Sequence, residues 1–480
     1  MQALVTAAQM AAADHYTIHE LGVPGLTLME QAAQSCVQEL GARLTDQDHV
    51  LVLVGPGNNG GDGLAITRLL HERGVSVRAR LTCEPDAFRG DSAENMRRLI
   101  ACGAAFEAPN PRFRTDIEPE VTWLVDSLFG TGLSRPLDGR YATLVEKANA
   151  ANANIMAVDI PSGLSGDHGR IDGPAVQADL TVTFQRLKLA HVVTPANAQC
   201  GQICLHEIGI QFSESQKIGH FLLEPADVDR PRRPNISHKG SYGSLAVLGG
   251  FRGMQGAAFL AGRAALRFGA GKVRLFNDAP ETLLSLGSLM AGDIFAGPGT
   301  QSYQALVIGP GLSRGDRVTE ALAAWALSAQ RVVWDADGLA LLPDGRGAMG
   351  AEWVMTPHPG EAAELLGIRA AQVQADRLAA VHALAEAYPG GWIVLKGYRT
   401  LIRAPHGDIF ICGSGNAALA TAGSGDVLSG MIGAMLANGV PMADAVLSAT
   451  LRHGLAADRW VQHYRDYSMT AEDIIDDLRF

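Results

Sequence analysis

The 480-residue sequence has few cysteines and no long hydrophobic run, and each shortage excludes a class of protein. Its six cysteines are scattered, and the close pair Cys200 and Cys204 has no second pair to complete a zinc site. We therefore interpret them as buried, reduced thiols. The longest uncharged runs, near residues 409–425 and 427–443, are broken by Gly, Ser, Asn and Pro. They fall short of the ~20 residues that a membrane span needs.

Positive charge is also in short supply, which excludes polyanionic surfaces as partners. The sequence has 39 Lys and Arg against 50 Asp and Glu, a formal net charge of -11 at pH 7. A surface of that sign repels nucleic acid and anionic lipid. The first twenty residues contain no Lys or Arg, so we expect no secretory signal and a cytoplasmic protein that binds neither nucleic acid nor membrane.

Apolar residues and glycine, by contrast, are plentiful. Apolar residues make up 47% and charged residues 19%, the balance of a globular protein. The length predicts two to four domains at about 100–200 residues each. The 55 glycines are about 11% of the chain, where ~7% is usual. Because glycine lets backbone amides approach a ligand closely, this excess hints at anion binding by local loops.

Short β-branched runs alternate with longer segments rich in Ala and Leu, a pattern typical of parallel sheets covered on both faces by helices. The fold class is therefore α/β throughout. A stretch of charge and proline near residues 211–236 predicts a linker between domains at 1–215 and 220–480. We interpret its cluster at 230–233 as solvated linker rather than an anion site. The predicted strands are 50–54, 121–125, 155–158, 245–248, 305–308, 332–334 and 393–395.

A glycine-rich loop at 55–63 follows the first of these strands and precedes a predicted helix over 64–73. A strand, such a loop and a helix N-terminus form an anion cradle. The loop's two Asn and one Asp favour a binding function over turn geometry alone. Polar residues also follow two other strands, at 126–133 and 159–164. The carboxyl ends of parallel strands line one crevice, so we expect the three loops to converge there.

Three motifs in this half closely resemble the NAD(P)H-hydrate epimerase domain, a Rossmann-like fold. They are Asn-Asn-Gly-Gly-Asp-Gly at 58–63, Asp126 with Phe-Gly-Thr-Gly-Leu at 129–133, and Asp-Ile-Pro-Ser-Gly at 159–163. The resemblance spans nearly all of residues 1–212 and implies binding of hydrated NADH or NADPH (NADHX, NADPHX). It implies a potassium ion at Asn59, Asp126 and Ser162, whose oxygens suit a hard cation. The dinucleotide contacts that it implies are Asn58, Asn59, Gly60, Gly61, Asp62, Gly130, Thr131, Gly132, Leu133, Ser134, Arg135, Pro136, Tyr141 and Asp159.

Epimerisation at a carbon that bears a hydroxyl requires proton transfer by titratable groups. Asp159 is the first candidate, and Lys188, which follows a strand at 180–184, is the second. A lysine at the exit of a strand is commonly a solvated surface charge, so both interpretations of Lys188 stay open. The segment 25–33 resembles the family's first helix, but Ala33 stands where glycine is expected, which bears on local packing only.

In the second half, a run of small residues at 422–430 surrounds Asp426, near the start of a predicted helix. Amides at a helix N-terminus stabilise charge on a transferring phosphoryl group, and an Asp there can accept a hydroxyl proton. The alternative role, a helix N-cap worth about 1 kcal/mol, does not require the small residues. Residues 396–400 suit a nucleotide phosphate or ribose. His358 stands between two prolines, which favours ligand contact over a structural role.

These motifs, with 238–243, 245–250, 256–257 and 264–271, resemble the ADP- or ATP-dependent NAD(P)H-hydrate dehydratases of the ribokinase-like superfamily. The resemblance covers about 220–480. One departure is Gly-Asn-Ala-Ala at 415–418, where the family has Asn-Pro-Gly, and it should change loop stiffness near the nucleotide. The resemblance implies hydrate contacts at Ala257, Gly311, His358 and Asp426, and nucleotide contacts at Lys396, Gly397, Tyr398, Arg399, Thr400 and Gly425.

Together the resemblances imply a bifunctional repair enzyme for the small molecules NADHX and NADPHX. The first domain would interconvert their R and S epimers, and the second would dehydrate the S epimer with ADP or ATP as phosphoryl donor and Mg²⁺ as bridging cation. A ribokinase-type small-molecule kinase fused to a non-catalytic dinucleotide-binding module is the alternative. We also expect a homo-oligomer.

Overall fold

The chain forms two compact units, one of residues 3–218 and one that runs from Gly219 onward and includes Met1 and Gln2. The cluster at 230–233 in the expected linker lies outside the described residues. The computed structural model describes residues 1–227, 234–282, 287–326, 328–342 and 352–478.

Seven parallel strands form the main sheet of the N-terminal unit. The strands of this unit are β1 (Gln2–Val5), β2 (His49–Val54), β3 (Ser76–Leu81), β4 (Ala105–Glu107), β5 (Trp123–Ser127), β6 (Asn154–Val158), β7 (Leu180–Phe184), β8 (Leu187–Lys188) and β9 (Gln202–His206). Their order in the sheet is β4-β3-β2-β5-β6-β7-β9. Strands β1 and β8 pair in parallel with each other, and Val5 lies opposite Lys188.

Helices alternate with these strands, which confirms the predicted α/β class for this unit. They are α1 (Ala7–His15), α2 (Gly25–Gly41), α3 (Asn58–Glu72), α4 (Gly90–Cys102), α5 (Gly139–Asn149) and α6 (Leu189–Val192), with a π-helical turn at Tyr16–Glu20 and 3-10 turns at Pro85–Ala87 and Ala196–Gln199. The central strand β2 is buried without a break from Val50 to Val54, as expected for a strand covered on both faces.

Helix α3 begins six residues earlier than predicted, at Asn58, so the prediction of a loop over 58–63 is wrong. Gly60 packs so tightly against the preceding turn that an added Cβ would lie 1.8 Å from the carbonyl oxygen of Gly55. The glycines therefore serve close packing at the helix start. Gly57 is the N-cap and has no side chain, so no side chain caps the amides of the first turn.

The strands of the C-terminal unit are β10 (His220–Leu223), β11 (Ser244–Leu248), β12 (Lys272–Asn277), β13 (Met290–Asp293), β14 (Ala305–Ile308), β15 (Arg331–Trp334), β16 (Glu352–Met355), β17 (Trp392–Leu395), β18 (Leu401–Arg403) and β19 (Ile409–Cys412). They lie in the order β13-β12-β11-β14-β15-β16-β17-β18-β19-β10. The expectation of purely parallel sheets is wrong at β18, which is antiparallel to both neighbours. The short connection from β17 to β18 requires this, because a parallel crossover takes a dozen or more residues.

The helices of this unit complete the predicted α/β architecture. They are α7 (Gln255–Phe268), α8 (Asp316–Ala326), α9 (Pro359–Leu366), α10 (Ala370–Ala375), α11 (Arg377–Ala387), α12 (Ser424–Ala437), α13 (Met442–Tyr464) and α14 (Ala471–Asp477), with 3-10 turns at Pro225–Asp227, Lys239–Tyr242, Pro280–Thr282, Ile294–Ala296, Ala336–Leu341 and Ala417–Leu419. Among the described residues, no helix combines the length and the apolar character that a membrane span requires.

Each sheet has a topological switch point, where the order of the strands reverses. In the N-terminal unit this point lies between β2 and β5, and in the C-terminal unit between β11 and β14. Ligands of open α/β sheets bind beyond the carboxyl ends of the strands at such points. The loops after β2, β5 and β6, and those after β14 to β17, are therefore the places to examine for sites.

The close packing at the start of α3 gives a stability prediction. We expect Gly60→Ala to destabilise the N-terminal unit by about 3 kcal/mol, because its Cβ meets a backbone oxygen that cannot move aside cheaply. Native-state hydrogen exchange of the β2 amides measures this local free energy in the full chain. Gly57→Ala is the matched control, since an added Cβ there meets no atom within 4 Å. Equal protection in the two variants would show that α3 does not need the glycine.

Candidate active sites

A buried lysine and a largely buried aspartate form a pair in the N-terminal unit, where β6 ends and β8 meets α6. The Nζ of Lys188 donates to Asp159 Oδ1 at 2.6 Å, to Thr183 Oγ1 at 2.9 Å and to the Phe184 carbonyl at 3.1 Å. Thr183 Oγ1 in turn donates to Asp159 Oδ1 at 3.1 Å. Lys188 is only 1% exposed, so it is not the solvated surface charge that its position at a strand exit allowed.

The backbone of Asp159 adopts a conformation that few residues other than glycine tolerate. Its φ is +66°, and the amide of Ile160 donates across it to the Val158 carbonyl at 2.8 Å. This i to i+2 bond with a positive central φ is a strained γ-turn. Such strain persists only where surrounding contacts hold it, and it concentrates at functional sites. The turn fixes the direction in which the Asp159 carboxylate leaves the strand.

Three carboxyl groups in this site differ in their affinity for protons. Burial opposes ionisation of Asp159, but the Lys188 ammonium outweighs it and holds the pKa of Asp159 below its ordinary value. Burial, then the charges of Asp159 and Asp14, raise the pKa of Asp62 well above its usual range. Burial and the charge of Asp159 raise the pKa of Asp14 to about 6. Asp159 therefore stays ionised, whereas Asp62 and Asp14 take up protons more readily.

A second polar cluster lies at the end of β5, next to this pair in sequence and topology. Asp126 is 1% exposed and accepts from the Ser162 amide at 2.8 Å and the Ser162 hydroxyl at 2.7 Å. Ser162 Oγ also lies 3.1 Å from the Phe129 carbonyl oxygen. Burial raises the pKa of Asp126 to about 6. In the described part of the chain no cationic side chain pairs with this carboxylate.

The predicted dinucleotide contacts are spread over the loops around these two clusters. Residues 58–62 are the first five residues of α3, and an added Cβ on Gly130 would lie 3.4 Å from Asn59 Cγ. Residues 130–133 continue the β5 loop, whereas residues 134–136 are exposed. Tyr141 lies on α5 with its ring against Phe129, and its hydroxyl donates to Thr82 Oγ1 at 3.3 Å. The Nδ2 of Asn59 is buried without a hydrogen-bond acceptor.

In the C-terminal unit, the ends of four adjacent strands line two adjoining cavities of about 630 and 750 Å³. His358 and Glu361 belong to the walls of both. The smaller cavity is lined by the predicted hydrate contacts Ala257, Gly311 and His358, and the larger by Asp335, Lys396, Gly397, Tyr398, Thr400, Gly425 and Asp426. Arg399, predicted beside them, does not line either cavity, and its guanidinium donates to the Gly413 carbonyl at 3.0 Å.

A lysine whose side chain is 16% exposed also lies between acidic groups in this unit. The Nζ of Lys396 donates to Asp335 Oδ1 at 2.7 Å and lies 3.6 Å from Glu361 Oε2. It also lies close to the backbone of Gly425, where an added Cβ would be 3.2 Å from Nζ. Asp335 is 1% exposed and follows β15 directly. The ammonium of Lys396 therefore forms its ion pair with Asp335 rather than with Asp426.

Asp426 lies in the first turn of α12, three residues after the N-cap Gly423. The N-cap role that the sequence allowed for it is thus wrong, because Gly423, with φ +87°, occupies that position. Burial and then the charge of Asp335 raise the pKa of Asp426 to about 7, although Lys396 partly opposes this. A carboxyl group with such a pKa is matched to proton transfer near neutral pH.

Two histidines fix the helix ends at these cavities. His358 caps α9, since its Nδ1 accepts from the amides of Gly360 at 3.0 Å and Glu361 at 3.2 Å. His358 therefore has a structural role and also lines both cavities. His453 lies against α12, with Nε2 3.0 Å from the Ser424 carbonyl oxygen. Burial lowers the pKa of His453 to about 4, so this ring is neutral and Nε2 donates.

The loop at 415–418, for which we expected altered stiffness, lines the larger cavity through Gly415, Asn416 and Ala417. Asp458 holds it, accepting from the Gly415 amide at 3.0 Å and from Asn416 Nδ2 at 2.9 Å. The Asn416 side chain also accepts from the Ala418 amide at 3.0 Å. The loop thus has its own source of stiffness, a carboxylate on α13.

Several residues of these sites carried no sequence signal that singled them out. Thr183 and His191 join the pair of Asp159 and Lys188 only through tertiary contacts, and Asp14 comes from a helix far earlier in the chain. Asp335 and Glu361 stand in motifs at strand ends, a signal that places them near the site but does not identify Lys396 as their partner. In the residues that the structure describes, no group of three His, Cys, Asp or Glu side chains could hold a metal ion.

Two protein families match adjoining parts of the chain. The model described as "YjeF-related protein N-terminus" matches residues 25–190, and the model described as "NAD(P)H-hydrate dehydratase" matches residues 245–479. Both matches agree with the resemblances seen in the motifs.

Curated relatives match over nearly the whole chain. A "Bifunctional NAD(P)H-hydrate repair enzyme Nnr" from Coxiella burnetii is 35% identical over 96% of this chain and 95% of its own length. The protein of the same name from Escherichia coli is 37% identical over 95% of this chain and 90% of its own. A crystal structure of the ADP/ATP-dependent NAD(P)H-hydrate dehydratase from Bacillus subtilis, co-crystallised with ATP and Mg²⁺, covers 52% of this chain and 92% of that chain, with 32% identity and a TM-score of 0.47.

The two hydrogen bonds from the 415–418 loop to Asp458 give a second prediction. Asp458→Ala removes two hydrogen bonds to a charged acceptor, each worth about 1.5–3 kcal/mol. We expect amide hydrogen exchange in residues 413–419 to become at least about 10-fold faster. Asp466→Ala is the control, because Asp466 bonds to Trp460 and Ser468 on the exposed side of the unit. Unchanged exchange in the Asp458 variant would mean that the loop is held by other contacts.

Proposed function

The chain belongs to the family of bifunctional NAD(P)H-hydrate repair enzymes, and we propose that each unit carries one of the two activities at the site described above. The N-terminal unit epimerises the hydrated dinucleotide at Asp159 and Lys188. The C-terminal unit dehydrates the S epimer at Asp426. The observation that carries this assignment is the different pairing of the two aspartates: Lys188 Nζ lies 2.6 Å from Asp159 Oδ1, whereas Lys396 bonds to Asp335 and not to Asp426.

In the N-terminal unit, Asp159 accepts the proton of the substrate's ring hydroxyl while the adjacent C–N bond breaks, its electrons go to the ring nitrogen, and a carbonyl forms. Reclosure on the other face of that carbonyl, with the proton returned to oxygen, inverts the carbon. The Lys188 ammonium keeps Asp159 ionised before the transfer and is itself a donor 2.6 Å away. Asp62, with its raised pKa, is the fifth residue of α3 and lies just beyond the first turn of that helix. This mixture of a carboxylate and protonated neighbours supports proton transfer in both directions, as an epimerisation requires.

A potassium ion fits the residues at the end of β5. Asp126 supplies a buried carboxylate without a cationic partner, and Ser162 Oγ and the Phe129 carbonyl lie beside it. Asn59 would add an amide oxygen, the ligand type that hard cations accept. When bound, the ion supplies positive charge where the anionic dinucleotide lies. We propose Asn59, Asp126 and Ser162 as its ligands.

In the C-terminal unit, Asp426 accepts the proton of the substrate's ring hydroxyl while the oxygen takes the terminal phosphoryl group of ADP, leaving AMP. The C–O bond of the phosphoester then breaks, phosphate leaves with its electrons, and loss of a ring proton restores the double bond. Free amides at the start of α12 and the Lys396 ammonium stabilise the phosphoryl charge. The two cavities fit a hydrate and a nucleotide that meet at Glu361 and His358.

Mg²⁺ would be held mainly by the nucleotide. Glu361 lines both cavities and is the carboxylate that would bind it. One protein carboxylate would suffice, since Mg²⁺ commonly binds through phosphates, water and one or two carboxylates. When bound, the ion would supply positive charge that neutralises the phosphate oxygens.

Separate loss of the two activities tests the assignment. A mixture of both hydrate epimers with the protein and ADP should return completely to reduced nicotinamide, measured by its absorbance. We expect Asp426→Asn to lose this recovery while epimer exchange, followed by chromatography, continues. Asp159→Asn should convert only the S fraction. An Asp159 variant with undiminished exchange would make the N-terminal unit a binding module, and a stable phosphoester with no recovery would make the C-terminal unit a kinase.

The raised pKa of Asp426 predicts a pH dependence. The base must be ionised, so kcat/KM for dehydration should rise with pH through a midpoint near 7. Asp335→Asn removes the negative neighbour and frees Lys396, and both changes lower the pKa of Asp426, so the midpoint should fall by about one pH unit. Asp408→Asn, in the turn between β18 and β19 and outside the lining of both cavities, should leave it unchanged. An unmoved midpoint in the Asp335 variant would show that another group limits the rate.

A further inference from the structure

One buried histidine, His191, bridges the two polar residues of the N-terminal site through their backbones. The amide of Lys188 donates to His191 Nδ1 at 3.0 Å. On the other side of the ring, Nε2 lies 3.0 Å from the carbonyl oxygen of Asp159. The side chain is 2% exposed, so water does not compete for either bond. A single rigid ring thus spans the two chain segments that carry the pair.

The two hydrogen bonds define the protonation state of the ring. Because Nδ1 accepts from the Lys188 amide, the ring proton must lie on Nε2, where it is donated to the Asp159 carbonyl. A charged imidazolium could not accept at Nδ1. Burial, reinforced by the Lys188 ammonium, lowers the pKa of His191 to about 4, which keeps the ring neutral. The bridge is therefore complete throughout the neutral pH range.

Both bonded backbone groups need such a partner. Asp159 is the central residue of a strained γ-turn. Its amide donates to the Val182 carbonyl at 2.8 Å, and its carbonyl oxygen faces His191. The Lys188 amide stands at the start of α6, where helix amides lack an intrahelical acceptor. Without the ring, one orphan donor and one orphan acceptor would be buried at the two ends of the pair.

We infer that His191 is a positioning residue of the epimerase site. It holds Asp159 and Lys188 at the distance from each other that proton transfer to and from the substrate requires. It touches the backbone of both and the reacting atoms of neither. This inference rests on the proposed roles of Asp159 and Lys188. A displacement of about 1 Å at a reacting group can cost about 100-fold in rate, so a residue that fixes the pair should act on kcat.

Three substitutions dissect the bridge in the full chain. His191→Leu removes both bonds, His191→Asn can still accept from the Lys188 amide, and His191→Gln can still donate to the Asp159 carbonyl. For epimer exchange, we expect kcat to fall about 100-fold in the Leu variant, with KM within about 2-fold. The Asn and Gln variants should each recover about 10-fold of that loss. Dehydration of the pure S epimer by the C-terminal unit should be unchanged in all three.

The outcomes separate this inference from the proposed function. If Asp159→Asn abolishes exchange but all His191 variants keep the original kcat, the pair is catalytic and His191 does not position it. If Asp159→Asn itself retains exchange, the proposed function fails first. If His191→Leu loses hydrogen-exchange protection in residues 180–192, its lower kcat does not distinguish positioning from local unfolding. The Asn and Gln variants then make that distinction. Equal loss of kcat and binding in those two, without partial recovery, would assign His191 a purely structural role.

Discussion

An ammonium bonded to a carboxylate, with one of the two side chains fully buried and the other largely so, is the interaction on which both sites depend. In the N-terminal unit Lys188 bonds to the site aspartate itself, so Asp159 stays ionised in surroundings that would otherwise protonate it. In the C-terminal unit Lys396 bonds to Asp335, a neighbour of the site aspartate. Asp426 is left with burial and a nearby negative charge, and its pKa rises to about 7. The same pair of residue types thus produces two bases of different strength.

The sheets determine which residues can take part in these pairs. Asp159 and Asp335 each follow a buried parallel strand directly, at the edge where ligands of α/β folds bind. At the two sites, Lys188, Lys396 and helix amides supply local positive charge, which reconciles a net charge of -11 with anionic substrates. The close packing of Gly60 on Gly55 lets the first turn of α3 reach this edge.

Much of this arrangement could be predicted from the sequence, and the exceptions have physical reasons. The α/β class and the strand-end positions of Asp126, Asp159 and Lys396 follow from local pattern. The start of α3 could not be predicted, because glycine favours a turn as readily as close packing. The burial of Lys188 and the bridge through His191 depend on how β7, β8 and α6 meet, and no local pattern encodes that contact.

We expect Asp159 and Asp426 to ionise in different pH ranges. The most direct test of this difference is a titration of the aspartate carboxyl groups in the full chain. Selective ¹³C labelling of aspartate Cγ, with Asp159→Asn and Asp426→Asn to assign the signals, reports each pKa separately. Asp426 should titrate near pH 7, and Asp159 below the ordinary value of 3.8. Titration of both groups near pH 4, or the reverse order, would contradict the assignment of an ionised carboxylate to the N-terminal site and a neutral-pH base to the C-terminal one.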